Sequence, residues 1–310
     1  MSHTARAPLT ALVAVVACLL ACLTAATGSA HASPAHHRPA DTARHVVAYY
    51  QTQYDNGAYV SPSPLGGIAT DIDLAAFHLD SDGTVHLNDD PPSAAKFDRM
   101  WSDLAALQKS GVRVEAMLGG AAQGTYANLH DDFTTYYGLL RDTLRTYHLD
   151  GVDLDIEEPF SLADTEHLIR QLRTDFGSSF VIAMAPVASD LSGGSTFSGG
   201  FDYRTLEQDV GSDISWYNAQ FYCGWGDLSG TSDYDAVVSA GFAASRVVAG
   251  TVTNSANCSG YVDPSTLDST LRSLVSEHSD FAGVAGWEYF NAQGSGGPQS
   301  WYQGVRDAMN

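Results

Sequence analysis

The chain has 310 residues, with 36 acidic and 15 basic side chains and a formal net charge of -21. That charge argues against nucleic acid and anionic membrane as partners, since both repel an acidic surface, and leaves a neutral ligand such as a sugar open. Hydrophobic residues make up 44% of the chain, ample for a large core.

The first residues read as a targeting segment. Arg6 supplies a positive start, and residues 9–26 are almost wholly apolar. Ala30-His31-Ala32 offers a small-x-small cleavage site, so residues 1–32 are expected to be a secretory signal peptide, with Ser33 as the mature start. No basic stop-transfer cluster follows, which argues against an anchor. Leu20-Ala21-Cys22 is loosely similar to a lipoprotein cleavage site, but the apolar residues after each cysteine argue against that route. Residues 33–44, with His36, His37 and Pro39, read as a disordered spacer. The protein is therefore expected to be secreted.

From residue 45 onward, strand patterns alternate with amphipathic helix patterns, which implies a parallel sheet with crossover helices. Strands are expected at 45–51, 71–77, 112–118, 150–157, 180–186, 214–222, 246–252 and 283–289. After the first strand, residues 52–67 are rich in Pro, Ser and Gly, so the first crossover helix is expected to be short or missing. Helices are expected over 94–109, where Phe97, Met100, Trp101, Leu104 and Leu107 recur at helical spacing, and over 131–147. Leu168, Ile169 and Leu172 mark another, and Asp263-Pro264 opens one carrying Leu267, Leu271 and Leu274. Residues 189–200 read as a mobile loop. Roughly 270 residues with eight strands fit a single (β/α)₈ TIM barrel of the α/β class. The single barrel is expected to act as a monomer. Cys223 follows the sixth strand and Cys258 the seventh, so a disulfide between neighbouring loops is expected in an oxidising compartment.

The fourth strand pattern is Asp150-Gly151-Val152-Asp153-Leu154-Asp155-Ile156-Glu157. Alternation puts Val152, Leu154 and Ile156 on one face and Asp153, Asp155 and Glu157 on the other. Three acids in line on an apolar central strand are not ordinary core, because neighbouring carboxylates raise each other's pKa. Strand ends at the same mouth contribute Tyr49, Phe77, Gly119-Gly120, the alternating Asn218, Gln220 and Tyr222, and Trp287. Acids, amides and aromatics together suit a carbohydrate. A metal site does not fit, because collinear acids on one strand cannot surround an ion. No cofactor motif is present.

The ladder resembles, without a gap, the DGxDxDxE signature of the family 18 glycoside hydrolases. Further segments are similar to the secreted fungal endo-β-N-acetylglucosaminidase branch of that family. They are Val85-His86-Leu87-Asn88-Asp89, Gly119-Gly120-Ala121-Ala122, Ala185-Pro186-Val187-Ala188-Ser189, Trp216 to Tyr222 and Gly286 to Asn291. The resemblance implies substrate-assisted retaining hydrolysis, in which the substrate's 2-acetamido group attacks the anomeric carbon. It assigns Glu157 as proton donor, Asp155 as holder of the acetamido nitrogen and Asp153 as its coupled partner. Tyr222 would bond the acetamido oxygen, Gln220 would help place the sugar, and Trp287 would floor the −1 site. Asn218 joins the substrate-binding set from alternation alone. The branch implies cleavage between the two core GlcNAc residues of N-glycans, mainly high-mannose. Chitinases of the family usually carry serine at the position of Met117 and an aromatic residue at that of Glu158, so this sequence departs from them. A chitinase and a non-catalytic sugar-binding barrel remain as alternatives.

Overall fold

A computed structural model of the protein describes residues 44–310. The expected signal peptide, and the spacer up to residue 43, lie outside the described residues. Eight parallel strands form the barrel: β1 (His45–Tyr50), β2 (Asp71–Leu79), β3 (Arg113–Gly119), β4 (Gly151–Asp155), β5 (Val181–Met184), β6 (Trp216–Gln220), β7 (Val247–Val252) and β8 (Gly283–Trp287). β1 pairs with both β2 and β8, and so closes the sheet on itself. A short antiparallel strand, Val85–Leu87, extends β2 outward at the mouth. Between β1 and β2 the described chain makes a two-strand ribbon and a 3₁₀ turn at Ser63–Leu65, in place of the first crossover helix.

Helices cover the barrel because their apolar stripes match the outward faces of the strands. Helix α1 (Asp98–Lys109) buries Met100, Leu104 and Leu107. The helix expected over 131–147 is α3 (Phe133–Thr146), and a short helix that was not expected, α2 (Thr125–Asp131), precedes it. Asp132 breaks them apart: its φ is −146° and its side chain caps α3 by accepting from the Thr135 amide. Helix α4 (Leu162–Phe176) starts under a Ser161 cap. The stretch expected as a loop over 189–200 begins inside the short helix α5 (Ala188–Ser192) and is irregular beyond it, and α6 (Tyr203–Val210) follows. Helix α7 (Ser232–Ser239) was also not legible. The last two, α8 (Pro264–Glu277) and α9 (Pro298–Ala308), both open on proline. No described helix is long and apolar enough to cross a membrane.

Two packed layers result. The outer one lies between strands and helices and includes Val46, Ile72, Val152, Leu154 and Ile156. The smaller inner one fills the barrel with Val47, Tyr49, Ala75, Ala76, Met117, Ala183, Trp216 and Ala285. The inner space is also rich in buried charge. At the amino-terminal end Arg113 ion-pairs with Asp71, and His45 Nδ1 lies 2.9 Å from the same carboxylate. Burial opposes it, but the His45 hydrogen bond and the His45 and Arg113 charges hold Asp71 below the usual carboxylate range. Glu115 is fully buried with neither oxygen hydrogen-bonded. Burial, and then the charges of Asp71 and Asp73, push its pKa well up. Cys223 and Cys258 form the expected disulfide, with Cα atoms 5.5 Å apart.

Candidate active site

Asp153 and Asp155 point into the barrel from β4, and Glu157 sits two residues further on, just past the strand end. Asp153 is buried, and it accepts from Tyr49 Oη at 2.7 Å and from Asn218 Nδ2 at 3.3 Å. Burial raises its pKa to about 7, against the pull of those two donors. Asp155 is driven well above the carboxylate range by burial, and then by the charges of Glu157 and Asp153. Glu157 is half-buried and shifted upward by desolvation, partly offset by Gln220. The Gln220 carboxamide spans both acids, donating to Asp155 at 3.2 Å and lying 3.4 Å from Glu157, and its nitrogen also reaches the Ala185 carbonyl at 2.8 Å. Tyr222 is buried beside them, and burial with the surrounding acids keeps its hydroxyl protonated far above neutrality.

Of the residues expected to line the mouth, Trp287 stays half-buried at the end of β8, its ring edge against Tyr49 with centroids 5.4 Å apart. Tyr49 lies deeper, committed to Asp153. Asn218 is 1% exposed and bridges two carboxyls, Asp153 and Asp73, while its oxygen accepts from Trp216 Nε1. It supports the acids and cannot reach a sugar, because alternation tells the face of a residue and not its depth. Phe77 is corrected outright. The β2–β3 register shifts between Leu74 and Phe77, so Ala75 and Ala76 both face inward and Phe77 turns to the outer layer at 1% exposure. Gly119 and Gly120 adopt φ of +91° and +87°. A Cβ at Gly119 would stand 2.6 Å from the Asp155 carbonyl, and the Gly120 amide donates to that carbonyl at 2.9 Å. These glycines let β3 turn tightly against the backbone of the acid strand; their contact is with Asp155, not with open space.

Asp73, Glu158 and Glu288 are acids at the site that were not assigned by sequence. Asp73 is buried, and burial with the charge of Asp153 raises its pKa well up; Oδ1 lacks a hydrogen-bond partner. Glu158 is buried at the mouth and accepts from the amides of Gly124 (2.8 Å) and Tyr126 (2.8 Å), tying the start of α2 to the end of the acid strand. A carboxylate bonding backbone amides at a helix start is worth about 1.5–3 kcal/mol. Glu158→Ala is therefore expected to lower unfolding free energy by about 2 kcal/mol in a denaturant titration. An unchanged midpoint would show that the loop does not depend on this tie.

Hollows also open among the loops at this end of the barrel, and the ladder acids themselves line neither. One, of about 820 Å³, lies at the ends of β1–β3 and is lined by polar groups including Gln51, Gln53, His78, Asp80, His86 and Asn88. Another, of about 560 Å³, lies beyond β5–β7 and is walled by Ser189, Trp225, Asp227 and Gly260.

The sequence profile described as glycosyl hydrolases family 18 matches residues 45–289. Among solved structures, a fungal endo-beta-N-acetylglucosaminidase from glycosyl hydrolase family 18 is 42% identical, with a TM-score of 0.81 over 85% of this chain and 97% of that one. The chitinase ChiC from Aspergillus fumigatus is 44% identical, with a TM-score of 0.78 over 86% of this chain and 100% of that one. Chitinase 2 of Rhizopus oligosporus is 31% identical over 211 residues, 63% of this chain. The match spans only 37% of that protein's own length.

Proposed function

The chain belongs to family 18 of the glycosyl hydrolases, and on that premise we propose that it is an endo-β-N-acetylglucosaminidase cutting between the two core GlcNAc residues of high-mannose N-glycans. The observation that carries this reading is that one carboxamide, Gln220, contacts both Asp155 and Glu157. Two acids held side by side on one strand cannot stand on opposite faces of a glycosidic bond, as a two-carboxylate mechanism requires. The other buried acids at the mouth are engaged elsewhere: Glu158 accepts from the Gly124 and Tyr126 amides, and both oxygens of Glu288 are taken by Thr52, at 2.9 and 3.0 Å. The nucleophile must then come with the substrate, which selects a sugar bearing a 2-acetamido group in the −1 site.

Glu157 protonates the leaving oxygen and then deprotonates water. Asp155 holds the acetamido N–H and balances the oxazolinium charge, Tyr222 donates to the acetamido oxygen, and Trp287 floors the ring. Asp153, on Tyr49 and Asn218, sets the charge shared with Asp155. The polar hollow at β1–β3 suits a hydroxyl-rich branched glycan better than chitin, whose repeating rings call for stacking aromatics along the groove. A secreted enzyme belongs to the same proposal and rests on the leader-like residues 1–32 and the disulfide, and a monomer is proposed on the single barrel.

The test is to digest a high-mannose glycoprotein and, separately, chitin oligosaccharides, and to identify the new reducing ends. Polypeptide left with one GlcNAc per site, with slow or no cleavage of chitin oligosaccharides, is the expected result. Efficient cleavage of the oligosaccharides with intact glycoprotein would establish the chitinase reading instead. The pH profile follows from the acid. Glu157 must be protonated to donate, and its pKa is shifted upward, so kcat/KM is expected to hold through the mildly acidic range and fall as pH rises through that pKa. A rate still climbing above neutrality would exclude Glu157 as donor.

A further inference from the structure

β6 leaves its sheet pairing before it reaches the tyrosine proposed to bind the acetamido group. Its register with β7 ends at Gln220 opposite Gly250, and the Phe221 amide adds one bond to the Gly250 carbonyl at 2.9 Å. Tyr222 lies one residue further on, and the chain then turns sharply, with φ of +57° at Cys223 and +88° at Gly224. Glycine enters that region freely, but a cysteine there is strained and stays only where its surroundings fix it. The loop after β7 does the fixing. Cys258 holds Cys223 through the disulfide, and the Ser259 carbonyl accepts from the Cys223 amide at 2.9 Å. Gly260 packs so closely that a Cβ there would stand 3.1 Å from Tyr222 Cα.

The same loop is anchored on β8 at Trp287. The Trp287 carbonyl accepts from the Thr253 amide and from Asn257 Nδ2, each at 2.8 Å. Asn257 and Asn291 also exchange side-chain hydrogen bonds, at 2.6 and 3.2 Å. The disulfide therefore ties Tyr222 to the frame that carries Trp287. Cys223 is exposed and Cys258 half-buried, so a reductant can reach the bridge in the folded chain.

We infer that the Cys223–Cys258 disulfide is a positioning device for the reaction, holding Tyr222 in place relative to Asp155 and Trp287. The inference rests on the roles proposed above for those three residues. A hydroxyl aimed at developing charge acts through its placement, and a shift of about 1 Å can cost as much as about 10²-fold in rate. Ground-state binding draws on many other contacts, so the loss falls on kcat rather than KM. The chain is then fully active only where the bridge forms, as suits a secreted enzyme.

The experiment is a cycle of reduction and mutation on the folded enzyme. Wild type and Tyr222→Phe are assayed oxidised and after treatment with a water-soluble phosphine. The phosphine converts the S–S bond to two thiols and takes oxygen from water to become the phosphine oxide. Reduction is expected to lower wild-type kcat about tenfold with KM within about twofold, and reoxidation to restore it. Far-ultraviolet circular dichroism at the assay temperature should not change. Tyr222→Phe should lose less than about twofold more on reduction, because the bridge has no hydroxyl left to place. Cys223→Ala/Cys258→Ala should start at the reduced level and ignore the phosphine. A wild-type kcat that survives reduction overturns the inference. So does a full tenfold loss in Tyr222→Phe, or a loss that tracks unfolding, since either makes the bridge a matter of fold stability alone. Rates are measured on whichever of a high-mannose glycoprotein and a chitin oligosaccharide wild type cleaves faster. If that is the oligosaccharide, the glycan reading fails, while the cycle still decides the role of the bridge.

Discussion

Asp155→Asn is expected to slow hydrolysis of intact glycan by roughly 10²–10⁴-fold, the scale of losing a positioned catalytic group. The same variant should still transfer a pre-formed glycan oxazoline to a GlcNAc-bearing acceptor, because ring closure, the step it impairs, has been bypassed. Glu157→Gln should fail with both donors, since no base is left to activate the acceptor. The asymmetry follows from position. Asp155 lies deeper on β4, buried and bonded by Gln220, where the proposed mechanism puts the acetamido group; Glu157 lies beyond the strand end, where it puts the leaving oxygen. If Asp155→Asn is as inert toward the oxazoline as Glu157→Gln, then Asp155 does not stabilise the oxazolinium ion.

The largest effect on stability is expected at the opposite end of the barrel. Arg113 is 8% exposed and pairs with Asp71, which is fully buried. Its guanidinium also lies over the Trp216 ring, 5.3 Å from the centroid. Removing one partner of such a pair leaves an uncompensated buried charge and costs about 3–5 kcal/mol. Arg113→Met is expected to lose that much in denaturant unfolding, and the double variant with Asp71→Leu to lose clearly less, since an apolar pair needs no counter-charge. Asp71 has a depressed pKa in the fold, so its contribution is present above the unfolded value near 4 and disappears as pH falls through the folded one. The deficit of the single variant should therefore persist across neutral pH and shrink only in strong acid. Additive losses in the double variant would mean that the two residues do not act as a pair.

The acid ladder was legible because two-residue alternation needs no partner: Asp153, Asp155 and Glu157 share a face whatever surrounds β4. The eight strands and the helices α1, α3, α4 and α8, whose apolar residues recur at helical spacing, were legible for the same local reason. Phe77 was misread because a register shift two residues earlier reverses the alternation, and nothing in Ala75-Ala76 announces it. Asn218 was placed on the correct face but at the wrong depth. Its neighbour Asp73 is 145 positions away in sequence, and the pairing appears only when β2 and β6 close round the barrel. Glu115 is an acid inside the third strand pattern, and nothing local accounts for it. Its setting beside Asp71, Asp73 and Arg113 is a tertiary fact, as is the Glu158 tie to the start of α2.

The central claim, that the substrate's own acetamide is the nucleophile, is tested most directly by weakening that nucleophile in the substrate. Wild-type kcat/KM is measured on a series whose −1 residue carries acetyl, monofluoroacetyl, difluoroacetyl and trifluoroacetyl on the 2-nitrogen. Each fluorine withdraws electron density from the attacking carbonyl oxygen and leaves the enzyme unchanged. The account predicts a rate that falls steeply along the series, by orders of magnitude from first to last. A rate that stays level across the four substrates would contradict it and would return the nucleophile to the protein.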